Sequence, residues 1–223
     1  MTDTKSARGV LFDLDGVLTD TAELHYQSWH DIADQFGIPF DRARNERLRG
    51  LSREDSLRTL LADAPRPLSA DQQADVLRRK NEGYLSRVAA MTPADVFPGV
   101  VELLASLRRC GARLAVASSS RNARTVLERL ELIARFDAVV DGNDAPRSKP
   151  DPQVFRIAAE RLGVPAARCV VIEDAASGVQ AARAAGMRVI GVGPRERVGA
   201  ADHVVEAVCD LSADDILALV PAE

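Results

Sequence analysis

Lysine is nearly absent from this chain of 223 residues. Of 29 basic residues only Lys5, Lys80 and Lys149 are lysines, and the rest are arginines. In such a background an internal lysine marks a place where a compact ammonium does what a planar guanidinium fork cannot. Cysteine is scarce as well: Cys110, Cys169 and Cys209 are scattered thiols without CxxC spacing. That spacing argues against both a disulfide framework and a zinc site. No apolar run approaches the roughly 20 residues that span a bilayer. The opening MTDTKSARG has no hydrophobic region of the signal-peptide kind, so a cytoplasmic protein without membrane association is expected. A basic surface is missing too, and the formal net charge of −4 argues against a nucleic-acid partner. No internal repeat or low-complexity segment is visible.

What is present is ordinary for a globular protein. The length suits one large domain, or a core domain carrying a smaller insert. Residues 8–13 read as a short apolar strand (Val10, Leu11, Phe12) that ends at Asp13. From Thr21 to Phe36 the period becomes helical, with Ala22, Tyr26, Trp29, Ile32, Ala33 and Phe36 on one face. Asp20 is the expected N-cap, Glu23 follows three residues later, and Gly37 ends the helix. Two or three further helices reach about Ala90, and TPADVFPG (92–99) is a punctuated linker.

After the linker, helices and strands alternate. Helices are expected at 100–109, 122–131, 152–162, 176–185 and 212–219. Strands are expected at 112–117, 137–140, 168–172, 187–192 and, weakly, 203–205. All-apolar strands alternating with helices predict an α/β fold with a Rossmann-like parallel sheet covered on both faces. The all-helical block 20–91 is then an insert after the first strand, and residues 1–19 with 92–223 form the core.

The stretch VLFDLDGVLTD (10–20) places Asp13 and Asp15 on the same side of an extended chain. Two buried like charges need a cation, or some proton chemistry, to offset them. Ligands of open parallel sheets bind at the carboxyl ends of the strands. The residues expected at those ends are Asp13 and Asp15, Ser118 to Ser120, Lys149 in a loop, and Glu173 with Asp174. Acids with open positions suit Mg²⁺, and hydroxyls ahead of a helix suit phosphate.

Taken in order, DLDGVLTDTAELHYQSW, RGLSREDSL, RRKNEGY, TPADVFPG, ASSSRN, SKPDP and EDAASGVQA resemble the haloacid dehalogenase superfamily, and within it the β-phosphoglucomutases. The resemblance spans nearly the whole chain and implies the haloacid dehalogenase fold with a mobile helical cap. It implies that Asp13 is a nucleophile forming an aspartyl phosphate, and that Asp15 is the general acid and base. It also implies Mg²⁺ held by Asp13, the Asp15 carbonyl, Glu173 and Asp174, with Ser118 and Lys149 on the transferring phosphoryl group. Thr21 and His25 would couple substrate binding to cap closure. Trp29, Arg49, Gly50, Arg53, Ser56, Lys80, Asn81, Ser120 and Asn122 would complete the surround of a small sugar phosphate, although the period of Trp29, Tyr26 and Phe36 also fits the core of the cap. Three positions depart from the pattern: Arg49 and Arg121 stand where a lysine is usual, and Ala175 where a serine is common. Arg49 lies in the specificity region and is expected to meet the distal phosphate or the sugar hydroxyls.

Plainer readings stand beside these. Paired aspartates can cap a loop, Glu173 and Asp174 can cap a helix, Lys149 can be a solvated loop charge, and His25 a half-buried polar residue. For function the leading expectation is a mutase interconverting β-glucose 1-phosphate and glucose 6-phosphate, acting as a monomer. The alternatives are a sugar-phosphate or phosphoglycolate-type phosphatase and a catalytically idle phosphate-sensing module.

Overall fold

The computed structural model describes residues 7–62, 64 and 67–220. Six short strands form the sheet: β1 (Gly9–Phe12), β2 (Arg113–Ala117), β3 (Ala138–Val140), β4 (Cys169–Glu173), β5 (Arg188–Val192) and β6 (His203–Val205). All neighbours are parallel, in the order β3-β2-β1-β4-β5-β6. Four helices precede β2 on the cap side: α1 (Ala22–Gln35), α2 (Arg42–Glu46), α3 (Arg53–Leu61) and α4 (Ala70–Val88). The core helices are α5 (Val100–Arg109), α6 (Ala123–Arg129), α7 (Gln153–Leu162), α8 (Ala176–Ala184), α9 (Arg195–Val198) and α10 (Ala213–Ala218).

The period-2 geometry of a strand divides the core in two. Val10 and Phe12 of β1 join one buried cluster with Val116, Ile172 and the apolar faces of α5, α6 and α10. Leu11, between them, joins the other with Ala115, Val171 and residues of α7 and α8. Apolar side chains on both faces are what a helix-covered parallel sheet requires. The sheet grows from β1 in both directions, so β1 and β4 flank the topological switch point where ligands of such folds bind.

The helices α1–α4 have their own core: Trp29, Ile32, Ala33, Ile38, Leu48, Leu57, Leu60 and Val76. Their starts carry capping groups. Ser52 Oγ accepts from Asp55 N at 3.1 Å, and Ser69 and Gln72 form a reciprocal capping box. The far end of α4 belongs elsewhere: Tyr84 and Val88, with Met91 just beyond the helix, pack into the cluster that contains Val10 and Phe12. The two connectors run side by side, with Thr19 bridged to Val96 and Phe97 N donating to Leu18 O at 2.9 Å.

Two local expectations change. Thr21, not Asp20, occupies the N-cap of α1, and its hydroxyl turns away from the helix toward Asp15; Asp20 instead accepts from Ala22 N at 3.1 Å. Tyr26 lies outside the apolar cluster of the cap. It stacks on Phe40 at 5.8 Å between centroids and carries the Arg42 guanidinium over its face at 4.6 Å. No helix among the described residues is long and apolar enough to cross a membrane.

Candidate active site

The backbone N–H of Asp13 donates to Ile172 O at 2.9 Å, so the β1–β4 ladder fixes the first acid. Gly16, at φ +81°, then turns the chain. A Cβ there would lie 2.1 Å from Asp174 Oδ2, so the turn fits only beside a glycine. Across the switch point β4 delivers Glu173, whose Oε1 accepts from Asp174 N at 3.2 Å and Ala175 N at 3.1 Å.

Lys149 answers the charge problem of this corner. Its Nζ is 2.7 Å from Asp13 Oδ1 and 2.7 Å from Glu173 Oε2, with 1% of the side chain exposed. Burial alone would discharge it, but Asp13 and Glu173 outweigh burial and hold its pKa above the usual lysine range. The slot is a point-charge slot, closed by the Phe155 ring 4.9 Å from Nζ.

Asp13, Glu173 and Asp174 each offer a carboxylate oxygen, and these lie within 4.8 Å of one another. Burial pushes Glu173 up to about 8, with Asp13 adding to it. Burial likewise pushes Asp174 up to about 6, against the pull of Arg49. Three buried hard oxygen donors within reach of one another fit a divalent cation such as Mg²⁺. The Asp15 carboxylate is outside this group and faces the cap.

There it accepts from the Thr21 hydroxyl, and His25 Nε2 is 4.0 Å away. Enclosure by protein, then the Asp13 charge, raise the Asp15 pKa to about 7. Behind His25 stands Lys80, its Nζ 2.8 Å from His25 Nδ1 and 4.7 Å from the Tyr84 ring. Burial, followed by the Arg53 charge, lowers Lys80 to about 7. Burial and then Lys80 drive His25 well below the ordinary histidine range, leaving it neutral near pH 7.

Between cap and core lies a cavity of about 260 Å³. Asp13, Asp15, His25, Trp29, Arg49, Gly50, Arg53, Ser56, Lys80, Ser120, Asn122 and Asp174 line it. Trp29 thus serves both the core of the cap and the cavity wall. Thr21, Asn81, Ser118, Lys149 and Glu173 lie behind that lining. Ser118 is fully buried and its Oγ accepts from Ser120 N at 3.0 Å, so Ser119 and Ser120 present that strand end to the cavity. Asn81 is engaged in a cap–core bond, its Oδ1 accepting from Asn122 Nδ2 at 2.8 Å.

Arg49 lines the cavity while its guanidinium pairs with Asp174 in the core and with Glu46. Arg53 lines the same cavity, with no carboxylate ion pair among the described residues. Other bridging residues escaped the sequence reading: Glu54 with Arg121 at 2.9 Å, Asp55 with Ser148, and Glu46 with Arg197. Only Arg121, at a position where a lysine is usual, and Asp55, three residues after the helix-capping Ser52, gave any signal.

A parallel sheet with paired acids at its switch point, a buried lysine and a helical cap defines a haloacid dehalogenase-type enzyme. The chain belongs to the haloacid dehalogenase-like hydrolase family, whose model matches residues 7–186. Within it, the chain is 44% identical over 207 residues to the β-phosphoglucomutase of Bacillus subtilis, covering 92% of each chain. The crystal structure of β-phosphoglucomutase from Clostridium difficile superposes with a TM-score of 0.91 at 33% identity, covering 96% of each chain. The chain is also 32% identical to the phosphorylated carbohydrates phosphatase of Thermotoga maritima, covering 82% of this chain and 84% of that one.

Proposed function

We propose that the protein is a Mg²⁺-dependent β-phosphoglucomutase that interconverts β-glucose 1-phosphate and glucose 6-phosphate through β-glucose 1,6-bisphosphate. The observation that carries this reading is the placement of Asp15: its carboxylate stands apart from the acid cluster, accepts from Thr21 and lies 4.0 Å from His25 Nε2 on the cap. A carboxyl facing the cap beside Asp13 can give a proton to a sugar oxygen and take one back, which a reversible mutase needs.

Asp13 attacks the phosphorus of the bisphosphate, and the bond from phosphorus to the sugar oxygen breaks. Asp15 gives its proton to that oxygen. In the return step Asp15 takes the proton of a sugar hydroxyl, which attacks the phosphoryl group on Asp13 and restores the free carboxylate. Lys149 neutralises charge on the equatorial phosphoryl oxygens, and Ser118 through Ser120 with their amides cradle them. Asp13, the Asp15 carbonyl, Glu173 and Asp174 would hold Mg²⁺, which supplies further neutralisation of the transferring group. Arg53 and Arg121 would receive the distal phosphate, while His25, Lys80, Ser56 and Asn122 meet the sugar. Residues 20–91 would move as the cap against a core of 1–19 and 92–223, and closure would keep water from the phosphoenzyme.

The kinship to a phosphorylated carbohydrates phosphatase favours a second reading, in which water replaces the sugar hydroxyl. Product analysis decides between them. With β-glucose 1-phosphate, Mg²⁺ and a trace of the bisphosphate, glucose 6-phosphate is the expected product. Release of inorganic phosphate at a comparable rate would assign the phosphatase instead.

A further inference from the structure

Asp174 is one of the three carboxylates proposed above to hold Mg²⁺, and a cap side chain already neutralises it. Arg49 Nη1 donates to Asp174 Oδ2, while Nε and Nη2 of the same guanidinium donate to the two Glu46 oxygens at 3.2 and 3.1 Å. Glu46 in turn lies 3.6 Å from Arg197 Nη1, and Arg197 Nε donates to the Asp174 carbonyl at 2.7 Å. Two cap residues and two core residues thereby close a ring. Little space remains around it: a Cβ on Gly16 would sit 3.2 Å from Arg49 Nη1, and one on Gly50 would sit 2.5 Å from Ser177 Oγ.

The acids of the site therefore carry two internal cations, Lys149 on Asp13 and Glu173, and Arg49 on Asp174. Lys149 is rooted in the core, but Arg49 belongs to the cap. A divalent ion among the three carboxylates would do Arg49's work with greater charge, and the two cations would repel one another across Asp174. The three-donor arrangement is also particular to arginine. One ammonium at this position could not hold both Glu46 oxygens in a fork and still reach Asp174.

We infer that Arg49 is a counter-cation that latches the cap to the core while the metal is absent, and that the latch competes with divalent-cation binding at Asp174. The inference rests on the proposed metal site. It makes metal loading the event that frees the cap to admit substrate. By linkage, whatever strengthens the latch weakens metal binding by the same factor.

The test uses Mn²⁺ as probe, on the full chain without substrate. Electron paramagnetic resonance titration should find Arg49→Gln binding Mn²⁺ at least about fivefold more tightly than wild type. Arg49→Lys should fall between the two. Hydrogen exchange gives a second reading that needs no variant. Mn²⁺ should speed exchange of the amides of residues 46–53 in wild type, and in Arg49→Gln those amides should be fast without metal. Equal or weaker Mn²⁺ affinity in Arg49→Gln, or wild-type exchange at 46–53 that Mn²⁺ leaves unchanged, overturns the latch. If wild type binds no more Mn²⁺ than Glu173→Gln does, the metal site itself fails, and the latch with it.

Discussion

Asp13 and Asp15 are two residues apart and share one cavity, yet their surroundings differ. Asp13 is pinned by the β1–β4 ladder and by Lys149, whereas Asp15 leans on Thr21 and the cap. Asp13→Asn should therefore abolish phosphoenzyme, as read by intact-protein mass spectrometry, with the fold retained. Asp15→Asn should still accept a phosphoryl group from a small donor such as acetyl phosphate, while sugar turnover falls by on the order of 10²–10⁴-fold. Phosphoenzyme in the first variant, or full sugar turnover in the second, would reverse the assignment. Lys80 permits a different measurement. Burial, then Arg53, lower its pKa to about 7, with Asp15 opposing. Between about pH 7 and the ordinary lysine range the unfolded chain holds a proton that the native protein lacks. Stability from this residue thus rises with pH across that window, and below it the native state bears the full penalty of a buried charge. Lys80→Met should raise stability at pH 6 by on the order of a few kcal/mol, and the gain should shrink toward nothing by about pH 10. A difference in urea unfolding that does not change with pH would refute this origin.

At the scale of elements, the turn from β4 into α8 shows how backbone spacing builds chemistry. A Cβ on Gly178 would lie 2.0 Å from Glu173 Cδ, so the first turn of α8 leaves room for the carboxylate only because it carries no side chain there. Gly178→Ala should favour the helix itself by about 0.5–1 kcal/mol. It should also push Glu173 from its place and weaken Mn²⁺ binding by about 10–100-fold. Unaltered affinity in a titration would show that Glu173 is not confined as described. Elements of this kind were largely legible in the sequence. The strands announce themselves because burial on both faces makes them wholly apolar, and Asp13, Lys149, Glu173 and Asp174 follow as residues at or beyond their carboxyl ends. The four residues of α9 were missed, since RERV is too short and too charged to show a period. The Asp20 cap was misplaced because the Thr21 hydroxyl serves Asp15 rather than the helix. The partner of Arg49 was out of reach for a similar reason: it lies 125 residues away and is met only when cap and core come together.

On the scale of the whole molecule, residues of the cap helices and of the core line one cavity and share one set of charges. Chelation should silence sugar turnover and added Mg²⁺ should restore it. Ca²⁺ should activate poorly, since it favours longer bonds and more ligands than this compact acid group provides. Full activity in excess chelator would reject the metal site. The strand order has a consequence for how the chain is made. β1 sits at the centre of the sheet, between β2 and β4, yet it precedes them by about 100 and about 160 residues. At a synthesis rate of about 5–20 residues per second, on the order of ten seconds pass between the emergence of β1 and that of its second partner. Through that interval an apolar strand with both edges bare must wait beside a cap whose helices can already form from local contacts. The strand that leads into Asp13 is thus among the last to be enclosed, and the growing chain is most exposed to aggregation through the segment that ends at the candidate site.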